Sequence, residues 1–324
     1  MLDVVFYEVF QEEEDILRKY LPKDLRAAFT WKTIQESEDS TPPAALISIR
    51  TQSRIPKAWA KTLEGILTRA QGYDHLVDYC RETGFDKPCG YIGNYCARAV
   101  AEHAVMGMMV LLRKLKKQIH QFDRFHREDL TGQECCGRRV LVVGVGNIGS
   151  EMVDIAKGLR MPVKGVDLVK RLKDIQYVSL KEGVAWADII FCALPLTEKT
   201  KNMLNYEAFK KCRPGAIFVN ISRGEISPLA DLKRLLSENI FGGLALDIYP
   251  NEKLLAEYLR AGKQTNEEEV KIVLELKDQD NVLFTPHNAF NTVEAVEQKA
   301  KRSADAVISF LKKKTFPHPV PSVK

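Results

Sequence analysis

The sequence predicts an α/β protein with two domains, a doubly wound parallel sheet and a second, smaller α/β domain. The chain has 324 residues, which is too long for a single ordinary hydrophobic core, so two domains with separate cores are expected. From residue 138 onward, strand-like runs rich in β-branched residues alternate with helical patterns, which is typical of a doubly wound sheet. Those runs are RRVLVVGVG, MPVKGVD, ADIIFCALP, GAIFVNIS, GGLALDIY and NVLFTPH.

The first hundred residues form the other, shorter α/β series, in which DVVFYEV, AALISIR and GILTRA alternate with EEDILRKYL and PKAWAKTL. Residues 98–119 predict one helix buried between domains or subunits, because its first half is apolar almost all round. The helical pattern of residues 292–314 predicts a return to the first domain. We therefore expect the smaller domain to comprise residues 1–100 and 292–324, and the doubly wound domain to comprise residues 101–291.

The composition is that of a soluble globular protein, with 45% hydrophobic and 28% charged residues. The chain shows neither a signal peptide nor a bilayer-spanning stretch, which predicts a cytoplasmic protein without membrane contact. Seven cysteines without CxxC or zinc spacing predict reduced thiols and no metal site. The net charge of +5 arises partly from basic runs near helix ends without aromatic interleaving, so nucleic-acid binding is not expected.

A glycine-rich loop in VLVVGVGNIGSEM carries the first functional signal. Gly144, Gly146 and Gly149 form G-x-G-x-x-G between a buried strand and a helix, which is the context that a dinucleotide-binding loop requires. The first glycine allows a tight turn, the second lets a pyrophosphate approach the backbone, and the third lets helix and strand pack closely. Glycines that merely turn a strand into a helix are the structural alternative.

The next strand ends in Asp167, at the distance expected for a carboxylate that binds the adenosine ribose hydroxyls. That carboxylate would repel a 2′-phosphate, so NAD is predicted as the cofactor, although Lys170 and Arg171 could soften the discrimination. The predicted cofactor site also includes residues of the loop and of later strand ends, namely Asn147, Ile148, Pro195, Thr200, Ser222 and Asp247.

Three later strand ends offer the groups that reduction of a keto acid needs. His287, after Pro286, is the candidate acid/base, because histidine titrates near neutral pH. Glu252 could pair with the imidazole and Asp247 could support the site from behind, although either acid could instead cap a helix. Arg223 could hold a carboxylate bidentately, unless it is an ordinary surface arginine. Together with the dinucleotide loop, this set favours catalysis.

The order of these motifs resembles the D-isomer-specific 2-hydroxyacid dehydrogenase family over essentially the whole chain. The resemblance implies a Rossmann NAD domain inserted in a flavodoxin-like substrate domain, a homodimer, and a small 2-keto or 2-hydroxy acid as substrate. It also implies that Arg223 anchors the substrate, that Glu252 pairs with the acid/base His287, and that a loop binds the acid's carboxylate through backbone amides. The positions that match this loop are Gln71, Gly72 and Tyr73, near Arg50.

Within the family, the chain resembles the D-lactate dehydrogenases most, through Tyr95 before AVAEHA and Phe290 after the histidine. We assign both residues, with Arg50, to the substrate site. Arg50 and Arg54 leave open a substrate like that of D-3-phosphoglycerate dehydrogenases, against which Gln52 argues. Two further alternatives are an NADH-sensing protein similar to transcriptional corepressors, and an S-adenosylmethionine methyltransferase, which would not need the Arg, Glu and His set.

Overall fold

The computed structural model describes residues 2–262 and 265–321, and the chain divides into two compact units. The first unit comprises Met1–Cys96 with Asn291–Lys324, and the second comprises Ala97–Phe290. The first boundary falls at residue 97 instead of the expected residue 101, because a helix begins at Ala97.

The first unit contains a five-stranded parallel sheet in the order β2-β1-β3-β4-β5. Its strands are β1 Val4–Phe6, β2 Ala27–Phe29, β3 Leu46–Ile49, β4 Gly65–Thr68 and β5 Cys89–Tyr91. Its helices are α1 Gln11–Tyr20, α2 Ile34–Ser37, a 3-10 helix Lys57–Lys61, α3 Asp74–Thr83 and α12 Val293–Lys313. This strand order is that of flavodoxin-like folds, so the prediction for the smaller domain is confirmed.

The helices of this unit cover both faces of the sheet, which explains why β3 and β4 are buried along their whole length. The return helix α12 begins where the Thr292 side chain accepts a hydrogen bond from the amide of Ala295 at 3.2 Å. It then packs directly on the sheet, because a Cβ at Gly65 would lie 2.3 Å from the ring of Phe310.

The second unit contains a seven-stranded parallel sheet in the order β12-β11-β10-β9-β6-β7-β8, a doubly wound arrangement as predicted. Its strands are β6 Val140–Val143, β7 Val163–Val166, β8 Gln176–Tyr177, β9 Ile189–Cys192, β10 Ala216–Asn220, β11 Phe241–Leu246 and β12 Val282–Phe284. Its helices are α4 Ala97–Leu112, α5 Leu115–Phe122, α6 Asn147–Gly158, α7 Leu180–Trp186, α8 Tyr206–Phe209, a 3-10 helix Gly224–Ile226, α9 Leu229–Ser237, α10 Glu252–Ala261 and α11 Glu268–Leu276.

Two elements of this unit differ from the sequence expectation. Strand β8 was missed because its two residues carry no recognisable alternation. The single helix expected over residues 98–119 is two helices: α4 ends at Leu112, and Lys114, with a left-handed φ of 50°, interrupts the helical backbone before α5 begins at Leu115. Within the described residues, no helix combines the length and the apolar character needed to cross a bilayer.

Candidate active site

The predicted site residues of the second unit follow the carboxyl ends of six of its strands. Because the strands are parallel, these ends share one edge of the sheet, where open α/β sheets bind ligands. The loops concerned follow β6, β7, β9, β10, β11 and β12.

The glycine loop after β6 has the geometry of a phosphate cradle. Gly144 has a φ of +95°, which favours glycine, and a Cβ at Gly149 would lie 1.9 Å from the carbonyl oxygen of Gly144. A Cβ at Gly146 would meet no atom within 4 Å, so open space lies beside the backbone there. Helix α6 begins at Asn147, which Ile148 follows, and the positive end of the helix dipole points toward the loop. These features fit a dinucleotide pyrophosphate.

Asp167 lies directly after β7, beside this loop. Its Oδ2 accepts a hydrogen bond from the amide of Val145 at 2.7 Å, and its Oδ1 accepts one from Val169 at 2.9 Å. A carboxylate has about four lone-pair positions, so further donors such as ribose hydroxyls can still bind. Arg171 extends back to the loop, with Nη1 3.4 Å from Oδ1 of Asn147.

The remaining predicted cofactor residues belong to two neighbouring loops that are tied together. After β9, the carbonyl of Pro195 accepts a hydrogen bond from the hydroxyl of Thr200 at 2.6 Å. After β10, the hydroxyl of Ser222 donates to the carbonyl of Leu194. Both loops therefore lie at the same sheet edge as the glycine loop.

Arg223 follows Ser222 and is held by the chain around it. Its backbone carbonyl accepts a hydrogen bond from the side-chain amide of Asn220 at 3.1 Å, and its Nη1 donates to the carbonyl of Ser222 at 2.8 Å. The next residue, Gly224, packs so closely that a Cβ there would lie 2.1 Å from the nitrogen of Pro250. This contact brings the Arg223 loop against the segment that leads to Glu252.

His287 and Glu252 are in direct contact. The Nδ1 atom of His287 lies 2.9 Å from Oε1 and 2.8 Å from Oε2 of Glu252, with both side chains about one fifth exposed, at 22% and 20%. A carboxylate at Nδ1 favours the tautomer with the proton on Nδ1 and leaves Nε2 for proton exchange. His287 has a φ of 53°, an uncommon conformation for a residue with a side chain, so the turn around it must be supported.

Asp247 supplies that support. Its carboxylate is 2% exposed and accepts hydrogen bonds from the amides of Asn288 and Ala289, each at 2.8 Å, and from the hydroxyl of Thr285. His103 of α4 joins the group through Nε2, 3.0 Å from the hydroxyl of Thr285. The structure therefore places Asp247 beneath the His287 turn, whereas the sequence could not decide between this position and a helix cap.

Sequence reasoning missed His103, Thr285 and Gly224. A threonine and a glycine in loops carry no chemical signal of their own, and His103 lies within an apolar helix pattern, where a histidine is usually structural.

Phe290, a predicted substrate residue, lies at the end of the second unit and has a buried side chain.

The other predicted substrate residues belong to the first unit, where they also follow parallel strands. Arg50 comes after β3, residues Gln71, Gly72 and Tyr73 connect β4 to α3, and Tyr95 comes after β5. The Tyr73 ring packs on Tyr91 with centroids 4.7 Å apart.

Two properties of this edge concern ligand binding. The Oε1 atom of Gln71 and the hydroxyl of Thr68 are buried without a hydrogen-bond partner among the described residues. Burial raises the pKa of Tyr95 well above its usual value, so its phenol stays protonated and can donate a hydrogen bond.

The chain is similar to known proteins in sequence and in structure. The sequence model of the family described as "D-isomer specific 2-hydroxyacid dehydrogenase, NAD binding domain" matches residues 105–289, more than half of the chain. The D-lactate dehydrogenase of Lactiplantibacillus plantarum is 32% identical over 322 residues, with 94% of this chain and 92% of that protein covered. The glyoxylate reductase of Pyrococcus furiosus is 26% identical, with 94% and 85% covered.

Among solved structures, the D-lactate dehydrogenase from Aquifex aeolicus, complexed with NAD and lactic acid, matches with a TM-score of 0.86. The two chains share 27% sequence identity, and the match covers 99% of this chain and 100% of the other. The similarity thus extends over both units.

Proposed function

This chain belongs to the D-isomer specific 2-hydroxyacid dehydrogenase family, and we propose that it reduces pyruvate, or a 2-keto acid of similar size, to the D-2-hydroxy acid. It is an NAD-dependent oxidoreductase that acts on 2-hydroxy acids. The observation that carries the proposal is the contact between His287 and Glu252 on the sheet edge that also holds the glycine loop.

In this proposal, each side chain of the site has a defined task. The glycine loop and Asp167 would hold NADH, whose chemistry would be to supply a hydride for the carbonyl carbon. His287 donates the proton to the carbonyl oxygen through Nε2, while Glu252 holds Nδ1 and so orients the ring. Arg223 pairs with the substrate carboxylate and polarises the carbonyl, because its planar guanidinium offers parallel donors. The backbone amides of Gln71, Gly72 and Tyr73 are proposed to bind the same carboxylate.

The test is the loss of NADH absorbance with pyruvate, longer 2-keto acids, oxaloacetate and phosphohydroxypyruvate, each repeated with NADPH. Pyruvate or a similar acid should be reduced fastest. Replacing His287 with alanine should lower kcat by about two to four orders of magnitude and leave the Kd for NADH unchanged. His126→Ala, at an exposed histidine of the same unit, is the matched control.

Unchanged turnover in the His287 variant would disprove the assignment of this residue. A protein that binds NADH but reduces no acid of the panel would disprove the proposed activity and favour the sensor.

The proposal includes a homodimer in the cytoplasm. Apolar side chains are exposed along α4, α5 and the residues after them, with exposed fractions of 45% for Met106, 62% for Ile119, 71% for Phe122 and 79% for Phe125. Apolar surface of this kind is typical of an interface. Light scattering should give twice the chain mass of 36.7 kDa, and a single chain mass at micromolar concentration would contradict the dimer.

A further inference from the structure

Three charged side chains of the first unit are buried together: Glu13 of α1, Arg69 after β4, and Lys299 of α12. Each is at most 1% exposed. Nε of Arg69 donates to Oε1 of Glu13 at 2.9 Å, and Nζ of Lys299 donates to Oε2 of Glu13, also at 2.9 Å. Buried charges are tolerated only when they are paired and hydrogen-bonded, so the three groups depend on one another. We call them the buried triad.

Arg69 uses all the donors of its guanidinium within this unit. Beyond Glu13, Nη1 donates to the carbonyl and the hydroxyl of Ser48 at 3.0 and 3.2 Å, and Nη2 donates to the carbonyls of Tyr7 and Glu8 at 2.7 and 3.0 Å. Ser48 belongs to β3, and residues 7 and 8 follow β1. One side chain thus ties the carboxyl ends of β1, β3 and β4 together.

Arg69 is the member of the buried triad that directly precedes the loop of residues 70–73 in the chain. The amide of Arg69 donates to the carbonyl of Ile49 at 2.7 Å, and the carbonyl of Ala70 accepts from the amide of Ile92 at 3.1 Å. The path of the backbone into Gln71 is therefore set by the position of Arg69. That position depends in turn on Glu13, whose second oxygen, Oε2, is held by the hydrogen bond from Lys299.

We propose that Lys299 is a positioning residue, which acts through Glu13 and Arg69 to hold the 70–73 loop in the conformation that binds the 2-keto acid. This inference rests on the proposed function, which assigns the substrate carboxylate to the amides of that loop. Lys299 itself makes no contact with substrate in this role. Its removal leaves Oε2 of the buried Glu13 without the hydrogen bond that Lys299 donates, which weakens the anchoring of Arg69 and loosens the loop.

The charge of Lys299 responds to its surroundings. It faces Glu13 from α1, Arg50 after β3, Arg69 after β4, and the thiol of Cys96 after β5. Burial lowers the pKa of Lys299 to about 8, because Glu13 compensates only part of the desolvation and the two arginines add repulsion. Raising the pH through about 8 therefore neutralises Lys299 and has the same direction of effect as its removal.

The experiment compares Lys299→Met and Glu13→Gln with Lys301→Met, a control at an exposed lysine of the same helix. The KM for pyruvate should rise by about tenfold in the first two variants, as expected for a misplaced binding loop, while the Kd for NADH stays unchanged. Hydrogen exchange in the peptide covering residues 69–74 should be faster in both. In the wild type, KM should rise as the pH passes about 8, whereas in Lys299→Met the already raised KM should not change there.

A wild-type KM and wild-type exchange in Lys299→Met would overturn the proposal, as would faster exchange spread evenly over the first unit. If Lys299→Met does not fold, the other two measurements decide: an unchanged KM in Glu13→Gln, together with a KM of the wild type that does not rise as the pH passes about 8, refutes the role. If the wild type reduces no keto acid, the proposed function has failed, but the exchange measurement still tests whether the triad orders the loop.

Discussion

Replacing Asp247 with asparagine tests how the His287 turn is supported. The carboxylate accepts two backbone N–H groups and one hydroxyl, and it is almost completely buried. Asparagine has nearly the same shape, but its NH₂ group must face one of these donors. One buried N–H, of Asn288 or Ala289, therefore loses its acceptor whichever way the amide is turned.

The loss can be estimated from these contacts. Leaving one buried donor unsatisfied costs about 1–3 kcal/mol, and the other two bonds lose roughly half their strength with the charge. We expect the free energy of unfolding of the second unit to fall by about 3 kcal/mol. The turn carries His287 in its strained conformation, so kcat should also fall by about tenfold or more.

Denaturant unfolding followed by circular dichroism measures the first effect, and NADH oxidation at saturating pyruvate measures the second. Asp154→Asn, at an exposed position of α6, should change stability by less than about 0.5 kcal/mol. If Asp247→Asn matched this control in both assays, the hydrogen bonds of Asp247 would not be what supports the turn.

Three further predictions concern other contacts. Gly224→Ala should destabilise the second unit by about 1–3 kcal/mol and lower kcat/KM, since the new Cβ collides with the backbone at Pro250; wild-type melting would contradict it. Asp167→Ala should lower the KM for NADPH by about tenfold, because the carboxylate that repels the 2′-phosphate is removed while Arg171 remains near the glycine loop. An unchanged ratio of NADPH to NADH activity would contradict this prediction. Burial opposes ionisation of Glu13, but the charges of Arg69 and Lys299 outweigh it and hold the pKa of Glu13 at about 2, below its ordinary 4.5. Ionised Glu13 should therefore contribute about 3 kcal/mol to the free energy of unfolding above pH 4.5, and this contribution should be lost as the pH falls toward 2. Glu13→Gln should flatten that part of a stability profile measured by denaturation, and an unaltered slope would show that Glu13 is not the group responsible.

The local sequence was sufficient to predict the two α/β units and their strand-rich runs. Parallel strands buried on both faces must be continuously apolar, and the glycine loop needs its three glycines wherever a dinucleotide approaches the backbone, so both features are visible as patterns. The residues that follow β10, β11 and β12 likewise predicted that an arginine, an acid and a histidine lie at one edge of the sheet. Local patterning failed at β8 and at Lys114, where too few residues or a single backbone conformation decided the outcome.

Only the tertiary structure decided which of these groups meet. Glu252 and His287 are 35 residues apart, and Asp247 supports a turn about 40 residues away, so neither contact could be read from spacing. Glu13 and Lys299 are 286 residues apart, and each in isolation looks like an ordinary charged position on an amphipathic helix. A sequence gives the kinds of charge that a chain carries, but the pairing and the cost of burying them are fixed by distance and solvent exclusion, which arise only when the elements pack.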